Sequence, residues 1–133
     1  MQRTLPPRTA LTQPWFDACN QGRLLIQRCD ACGEAQFYPR IVCSHCGKPD
    51  PTWIEASGQA VVASFTVVRH AISKAYEAPY VVALVDLEEG PRLMTHIVDC
   101  EPAQLQIGMS VFVRFESWGE DTTLPVFSHG PAA

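Results

Sequence analysis

In the second half of the chain, apolar positions recur at every second residue in short stretches broken by turn-forming residues. Gln59 to His70 carries Val61, Ala63, Phe65 and Val67 on one face, the two-residue period of a half-buried strand. Tyr80 to Leu87 is apolar at nearly every position and reads as a strand buried on both sides. Arg92 to Val98, Ser110 to Glu116 and Thr122 to Phe127 complete five strands, with Glu88-Glu89-Gly90 and Gly119-Glu120-Asp121 as turns. Five short strands in roughly 75 residues, with tight turns and two longer loops, suit an OB-type barrel. A small β-sandwich fits the same alternation.

The first half has another rhythm. Residues 12–22 predict a short helix, capped by Thr12 or Gln13, with Pro14 in its first turn and Gly22 at its end. Trp15, Phe16 and Cys19 share one face of it, so something must cover an aromatic stripe. Leu24 to Arg28 and Thr52 to Glu55 read as short strands. Residues 1–11, with Arg3, Pro6, Pro7 and Arg8 and little periodicity, read as an extended arm. The fold class is therefore mainly β, divided into an arm and helix (1–22), a small metal-bearing segment (23–56) and a barrel (57–133).

That middle segment is defined by its cysteines. Cys29-Asp30-Ala31-Cys32-Gly33 and Cys43-Ser44-His45-Cys46-Gly47 are two knuckles with ten residues between the pairs, each followed by a glycine suited to a tight turn. Four thiolates form the closed tetrahedral set of structural zinc and leave no position for catalytic water. Iron in a rubredoxin-like site needs the same four ligands. A redox-active pair would open a helix after a strand, whereas Gly33, Pro39 and Gln36-Phe37-Tyr38 describe short hairpins. His45 is surplus to a four-thiolate site, and Cys19 and Cys100 read as small buried hydrophobes.

Composition narrows the setting. The chain has 133 residues, 47% hydrophobic and 18% charged, so it suits one compact domain or two very small ones. The low charged fraction points to surface covered by a partner. No apolar run approaches the roughly 18 residues of a membrane span. Met1 to Pro7 holds no apolar signal region, so a cytoplasmic, thiol-reducing setting is expected. Residues 1–28 carry four cations and one acid, 29–56 two and four, and 57–133 four and nine, for a net charge of −4. A barrel at −5 is a poor track for phosphate backbones, which weighs against nucleic-acid binding, the function zinc ribbons and OB barrels suggest by analogy.

The order of parts resembles the OB-fold/zinc-ribbon acyl-CoA-associated family, formerly a domain of unknown function. The resemblance rests on the two knuckles and on Phe37-Tyr38-Pro39-Arg40, Gly58, Ser64-Phe65-Thr66-Val67-Val68 and Pro79-Tyr80-Val81-Val82-Ala83-Leu84-Val85. Glu89-Gly90, Ile107-Gly108-Met109 and Leu124-Pro125-Val126-Phe127 extend it across roughly residues 12–128. It implies a rubredoxin-like zinc ribbon before the barrel and a role as small partner subunit of a thiolase-superfamily enzyme: a thiolase, acyltransferase or aldolase. Such a thiolase-fold partner supplies the nucleophilic cysteine, and the small subunit helps to hold the CoA thioester in a hetero-oligomer.

Residues of this chain's own chemistry fit a non-catalytic part. There is no nucleophile elbow, phosphate-cradling loop or dinucleotide fingerprint. Cys100 lies between Asp99 and Glu101, whose charges would raise its pKa, and His70 and His96 fall at strand positions as structural residues. A CoA thioester needs cations and an apolar slot. Arg40, Arg69, His70, Lys74 and Arg92 are the candidates for its phosphates, with Tyr76 and Tyr80 for packing. Trp15, Phe16, Leu24 and Ile26, in a segment too short to bury them, are expected to form the partner-facing surface.

Overall fold

The computed structural model describes residues 5–119 and 121–129. The helix α1 (Gln13–Asn20) is followed by the strands β1 (Leu25–Arg28), β2 (Ala35–Gln36) and β3 (Thr52–Glu55), then by β4 (Gln59–Val68), β5 (Tyr80–Leu87), β6 (Arg92–Val98), β7 (Ser110–Gly119) and β8 (Thr122–Ser128). A single 3-10 turn, Pro102–Gln104, lies between β6 and β7. Residues 1–4 of the expected arm and Glu120 of the expected turn lie outside the described residues. No helix among the described residues is long and apolar enough to cross a membrane.

Strands β2-β1-β3 form a small antiparallel sheet. The other five close into a barrel in the order β4-β5-β6-β8-β7, with β7 returning to β4 and a parallel contact between β6 and β8. This is the OB-type barrel, and closure disposes of the sandwich alternative. Its core comprises Val62, Val81, Val85, Leu93, Val111 and Phe127, all at most 2% exposed. Gly58 opens it with φ +87°, and a Cβ there would stand 2.5 Å from Val113 Cγ1, so the sequence has no side chain where β4 crosses β7.

Three expectations change. The inward face of β4 is not Val61, Ala63, Phe65 and Val67 throughout, because the register shifts between Val62 and Ser64. This bulge at Ala63 reverses the alternation, so Ala60 and Val62 point inward before it, Phe65 and Val67 pack inward after it, and Val61 is exposed. Strand β5 alternates instead of being buried on both sides: Val81, Ala83, Val85 and Leu87 are buried and the residues between them are half-buried. Strand β4 ends at Val68, which leaves His70 exposed in the following loop; His96 does lie on β6, half-buried.

The expected partner-facing residues also find a home within the chain. Leu24 and Ile26, 2% and 0% exposed, belong to the barrel's own core cluster, which Trp15 and Phe37 pack against from outside. Phe16 and Cys19 are buried where α1 packs on β8, and the Arg8 guanidinium stacks over Phe16 and donates to the carbonyl of Asp121. These apolar groups are spent on intramolecular packing, so they do not mark an open interface.

The barrel wall has one weak line. Strands β6 and β8 pair only at Ile97–Phe127 and Val98–Ser128. Below that, Leu93 to His96 and Leu124 to Val126 diverge and line a common cleft, with Trp15 from α1 and Phe37 from the ribbon at its side. Across this seam the Thr95 hydroxyl reaches the carbonyl of Pro125 at 3.4 Å. The helix and the ribbon thus cover one side of a gap the barrel leaves in its own wall.

Candidate functional site

The two knuckles fold alike. Gly33 N–H donates to Cys29 O at 2.8 Å and Gly47 N–H to Cys43 O at 2.9 Å, and both glycines take the left-handed backbone, φ +77° and +79°. Cys29 N–H and Cys43 N–H close each turn onto the carbonyls of Glu34 and Lys48. The consequence is convergence: the four sulfurs lie within 4.8 Å of one another, with Cys29–Cys46 at 3.5 Å and Cys32–Cys43 at 3.7 Å. A tetrahedral ion with metal–sulfur bonds of about 2.3 Å sets its sulfurs ~3.8 Å apart, so the donor set fits. His45 is exposed, and what it gives the site is its backbone N–H, 3.3 Å from Cys43 Sγ.

The thiols are unequal. The backbone N–H of Cys46, then that of His45, stabilises the Cys43 thiolate and lowers it to about 6. The N–H of Cys32 likewise holds Cys29 below the usual thiol range. The N–H of Glu34 favours a Cys32 thiolate, yet desolvation of its sulfur among the other three and the hydrogen bonds it shares with Cys43 and Cys29 carry Cys32 up to about 12. Cys46 is also raised: the N–H of Lys48 works against this, but its hydrogen bond to Cys29 and burial prevail. A dication entering this cluster would displace the protons that its thiols carry, so binding would release protons.

What holds the second knuckle in place was not visible in the sequence. Gln27 and Gln36, 1% and 7% exposed, form a buried amide pair with Gln36 Nε2 donating to Gln27 Oε1 at 2.7 Å. Gln27 Nε2 donates to Arg40 O, and Gln27 Oε1 also accepts Arg40 N–H. Gln36 Oε1 accepts Ser44 N–H at 2.8 Å, and its Nε2 reaches Val42 O. The pair thus fixes the backbone of residues 40–44, which β1 and β2 would otherwise leave unsupported. The available signal was a glutamine ending the apolar run Leu24-Leu25-Ile26.

Cys19 is buried, and burial pushes its thiol up to about 12, the behaviour of an inert core residue. Cys100 is half-buried, with its thiol on the carbonyl of Glu101.

The candidate phosphate-binding residues divide into two groups. Arg40 and Arg92 come together: both line a cleft of about 380 Å³ where the ribbon meets the β5–β6 turn, with Phe37, Tyr38, Ser44, His45 and Glu89. Arg92 is held by Asp86 through two hydrogen bonds of 2.7 and 3.1 Å, whereas the Arg40 guanidinium has no acid partner among the described residues. Arg69, His70 and Lys74 are exposed in and before the loop after β4 and line neither this cleft nor the seam. Tyr80 packs with Tyr76 and His96, and Trp118 joins this cluster through those two, with ring centroids 5.3–6.4 Å apart. That aromatic cluster borders the seam cleft through His96 and Trp118, and the seam, about 310 Å³ and walled by Val82, Met94, Leu124 and Pro125, is the apolar slot.

Comparison with known proteins matches both parts. Residues 16–52 fit the family model of the ChsH2 rubredoxin-like zinc ribbon domain and residues 53–116 that of the ChsH2 C-terminal OB-fold domain. A probable enoyl-CoA hydratase alpha subunit of Thermomonospora curvata is 43% identical over 128 residues, 94% of this chain, although the chain spans only 40% of that protein's length. A DUF35 domain-containing scaffold protein of Methanocaldococcus jannaschii is 40% identical over 110 residues, covering 80% of this chain and 77% of that one. Among solved structures, a chain of an Ltp2-ChsH2(DUF35) aldolase superposes with a TM-score of 0.85 at 42% identity, covering 94% of this chain and 98% of its own length. Knuckles, barrel order and length of match agree, and the chain belongs to the DUF35 family of zinc-ribbon and OB-fold proteins.

Proposed function

We propose that this chain is a non-catalytic subunit of a thiolase-superfamily complex acting on a CoA thioester, docking on the enzyme and helping to hold the acyl-CoA. The observation that carries the reading is the fit along nearly its whole length to a chain of the Ltp2-ChsH2(DUF35) aldolase. The relatives named for enoyl-CoA chemistry and for scaffolding point the same way. In this reading Cys29, Cys32, Cys43 and Cys46 hold one zinc ion. Four thiolates close its coordination, so the ion supplies folding energy and rigidity to the ribbon and takes no part in turnover. Cys19, buried and protonated, offers no activated nucleophile. The reacting groups belong to the partner.

Co-expression with a thiolase-fold enzyme, followed by size exclusion, tests it. A stable hetero-oligomer is expected, with more acyl-CoA turnover than the enzyme alone shows. Separate elution together with full activity of the enzyme by itself would reject the subunit role.

A further inference from the structure

The seam between β6 and β8 is a gap in a barrel wall, and most gaps of this kind are filled by side chains. Here Trp15 and Phe37 cover one side of it, yet about 310 Å³ remains, bounded almost wholly by apolar groups. Met94, at its edge, is 63% exposed although it sits mid-strand. Leu93, Thr95 and Val126, buried residues of the barrel wall, form part of its lining. Phe37 also lines the cleft that holds Arg40, and the Tyr38 hydroxyl accepts the Met94 N–H at 3.4 Å, so the two clefts meet at one aromatic pair.

The charges beside the seam are mixed. Arg92 is neutralised by Asp86, and Glu34 and Glu89 line the cleft with Arg40. Of the two arginines that line that cleft, Arg40 is the one without an acid partner among the described residues. An unpaired guanidinium beside an apolar slot suits a ligand with an anionic head and an apolar arm better than a free phosphate or a plain hydrocarbon.

Resting on the acyl-CoA reading above, we propose that the β6–β8 seam takes the apolar arm of the CoA thioester, with Arg40 against its phosphates. The ligand then lies along β6 with its head at the ribbon, and the β4–β5 loop with Arg69, His70 and Lys74 is not part of the site.

The test is a titration of the full chain, with its metal, by acetyl-CoA, hexanoyl-CoA and free hexanoate, read by calorimetry and by the fluorescence of Trp15 and Trp118. Affinity should rise about tenfold for each two methylene groups added to the acyl chain until the seam is full. Met94→Glu should abolish that length dependence, Arg40→Glu should weaken both CoA esters about tenfold and preserve it, and Arg69→Glu with Lys74→Glu should change neither. Unchanged thermal melts and metal content certify that the variants fold. Binding without length dependence, binding indifferent to Met94→Glu and Arg40→Glu, or binding lost in the Arg69 and Lys74 variant would overturn the assignment. Co-elution with a thiolase-fold enzyme separates the two ideas. If no CoA ester binds but co-elution persists, or if Met94→Glu destroys co-elution instead, the seam belongs to the protein interface and this inference fails while the subunit role stands. If the esters bind as described and no complex forms, only the subunit role fails.

Discussion

Between Cys29 and Asp50 the buried residues are Cys29, Gln36 and Cys43, two cysteines of the four-sulfur cluster and an amide. Every barrel strand, by contrast, buries at least one aliphatic or aromatic side chain, and Val62, Val85, Val111 and Phe127 are sealed at 1% exposure or less. The barrel is held by apolar area removed from water, the ribbon by four sulfurs and the Gln27–Gln36 pair. If the ribbon holds zinc as proposed, its rigidity should depend on that ion, whereas the barrel's should not. Because β1 carries both Ile26, in the barrel core, and Gln27, in the ribbon's amide pair, the conditional region is anchored on the unconditional one.

Removing the ion should break this contrast most sharply. Cys43→Ser, or chelation, is expected to abolish amide-exchange protection across residues 29–50 completely while β5, β6 and β7 keep theirs. A barrel that melted together with the ribbon would show that the two form one cooperative unit. The reverse experiment is Phe127→Ala. It removes a fully buried ring from the barrel core and should cost about 3–5 kcal/mol in a urea melt, with metal content unchanged until the barrel unfolds.

Gln36→Ala sits between these extremes. It takes the side-chain acceptor from Ser44 N–H and removes one of the two hydrogen bonds that Gln27 Oε1 accepts, at about 1 kcal/mol for each bond lost. The loss should fall on the ribbon, read as faster release of the ion to a chelator with little change in barrel stability. Equal effects on both would mean that Gln36 supports the β1 anchor more than the knuckle.

How much of this the sequence disclosed follows from where each piece of information lies. Ligand identity and spacing are local, so the knuckles were legible down to the trailing glycines. Strands β5, β6 and β3 were legible because apolar runs end at turn residues. The bulge at Ala63 was not, since an inserted small apolar residue leaves the run looking continuous while it reverses the facing of everything after it. The home of Leu24 and Ile26 was hidden because it depends on contacts with strands far along the chain. Arg40 and Arg92 were each visible as cations, but only the folding of the ribbon over the β5–β6 turn makes them neighbours in one cleft. The seam was invisible altogether, because it arises from where two strands stop pairing.

The smallest effect belongs to the pair at the junction of the two regions. Asp86 accepts two hydrogen bonds from Arg92, which hold its carboxyl below the ordinary carboxylate range, burial opposing slightly. A depressed folded-state pKa means the folded protein binds its proton less readily than the unfolded chain does. The stabilisation is therefore present above the ordinary aspartate pKa of about 3.9 and is lost as the pH falls below it toward the folded value. Both side chains are more than a third exposed, so water, salt and side-chain entropy reduce the contribution to a small one. Urea melts of the wild type and Arg92→Ala should differ slightly at pH 7, and that difference should close toward pH 3 and in high salt. A large gap at pH 7 that survives acid would mean that Arg92 supports the ribbon–barrel contact by packing, through its stem, and would bind the two regions more tightly than their contrasting cores suggest.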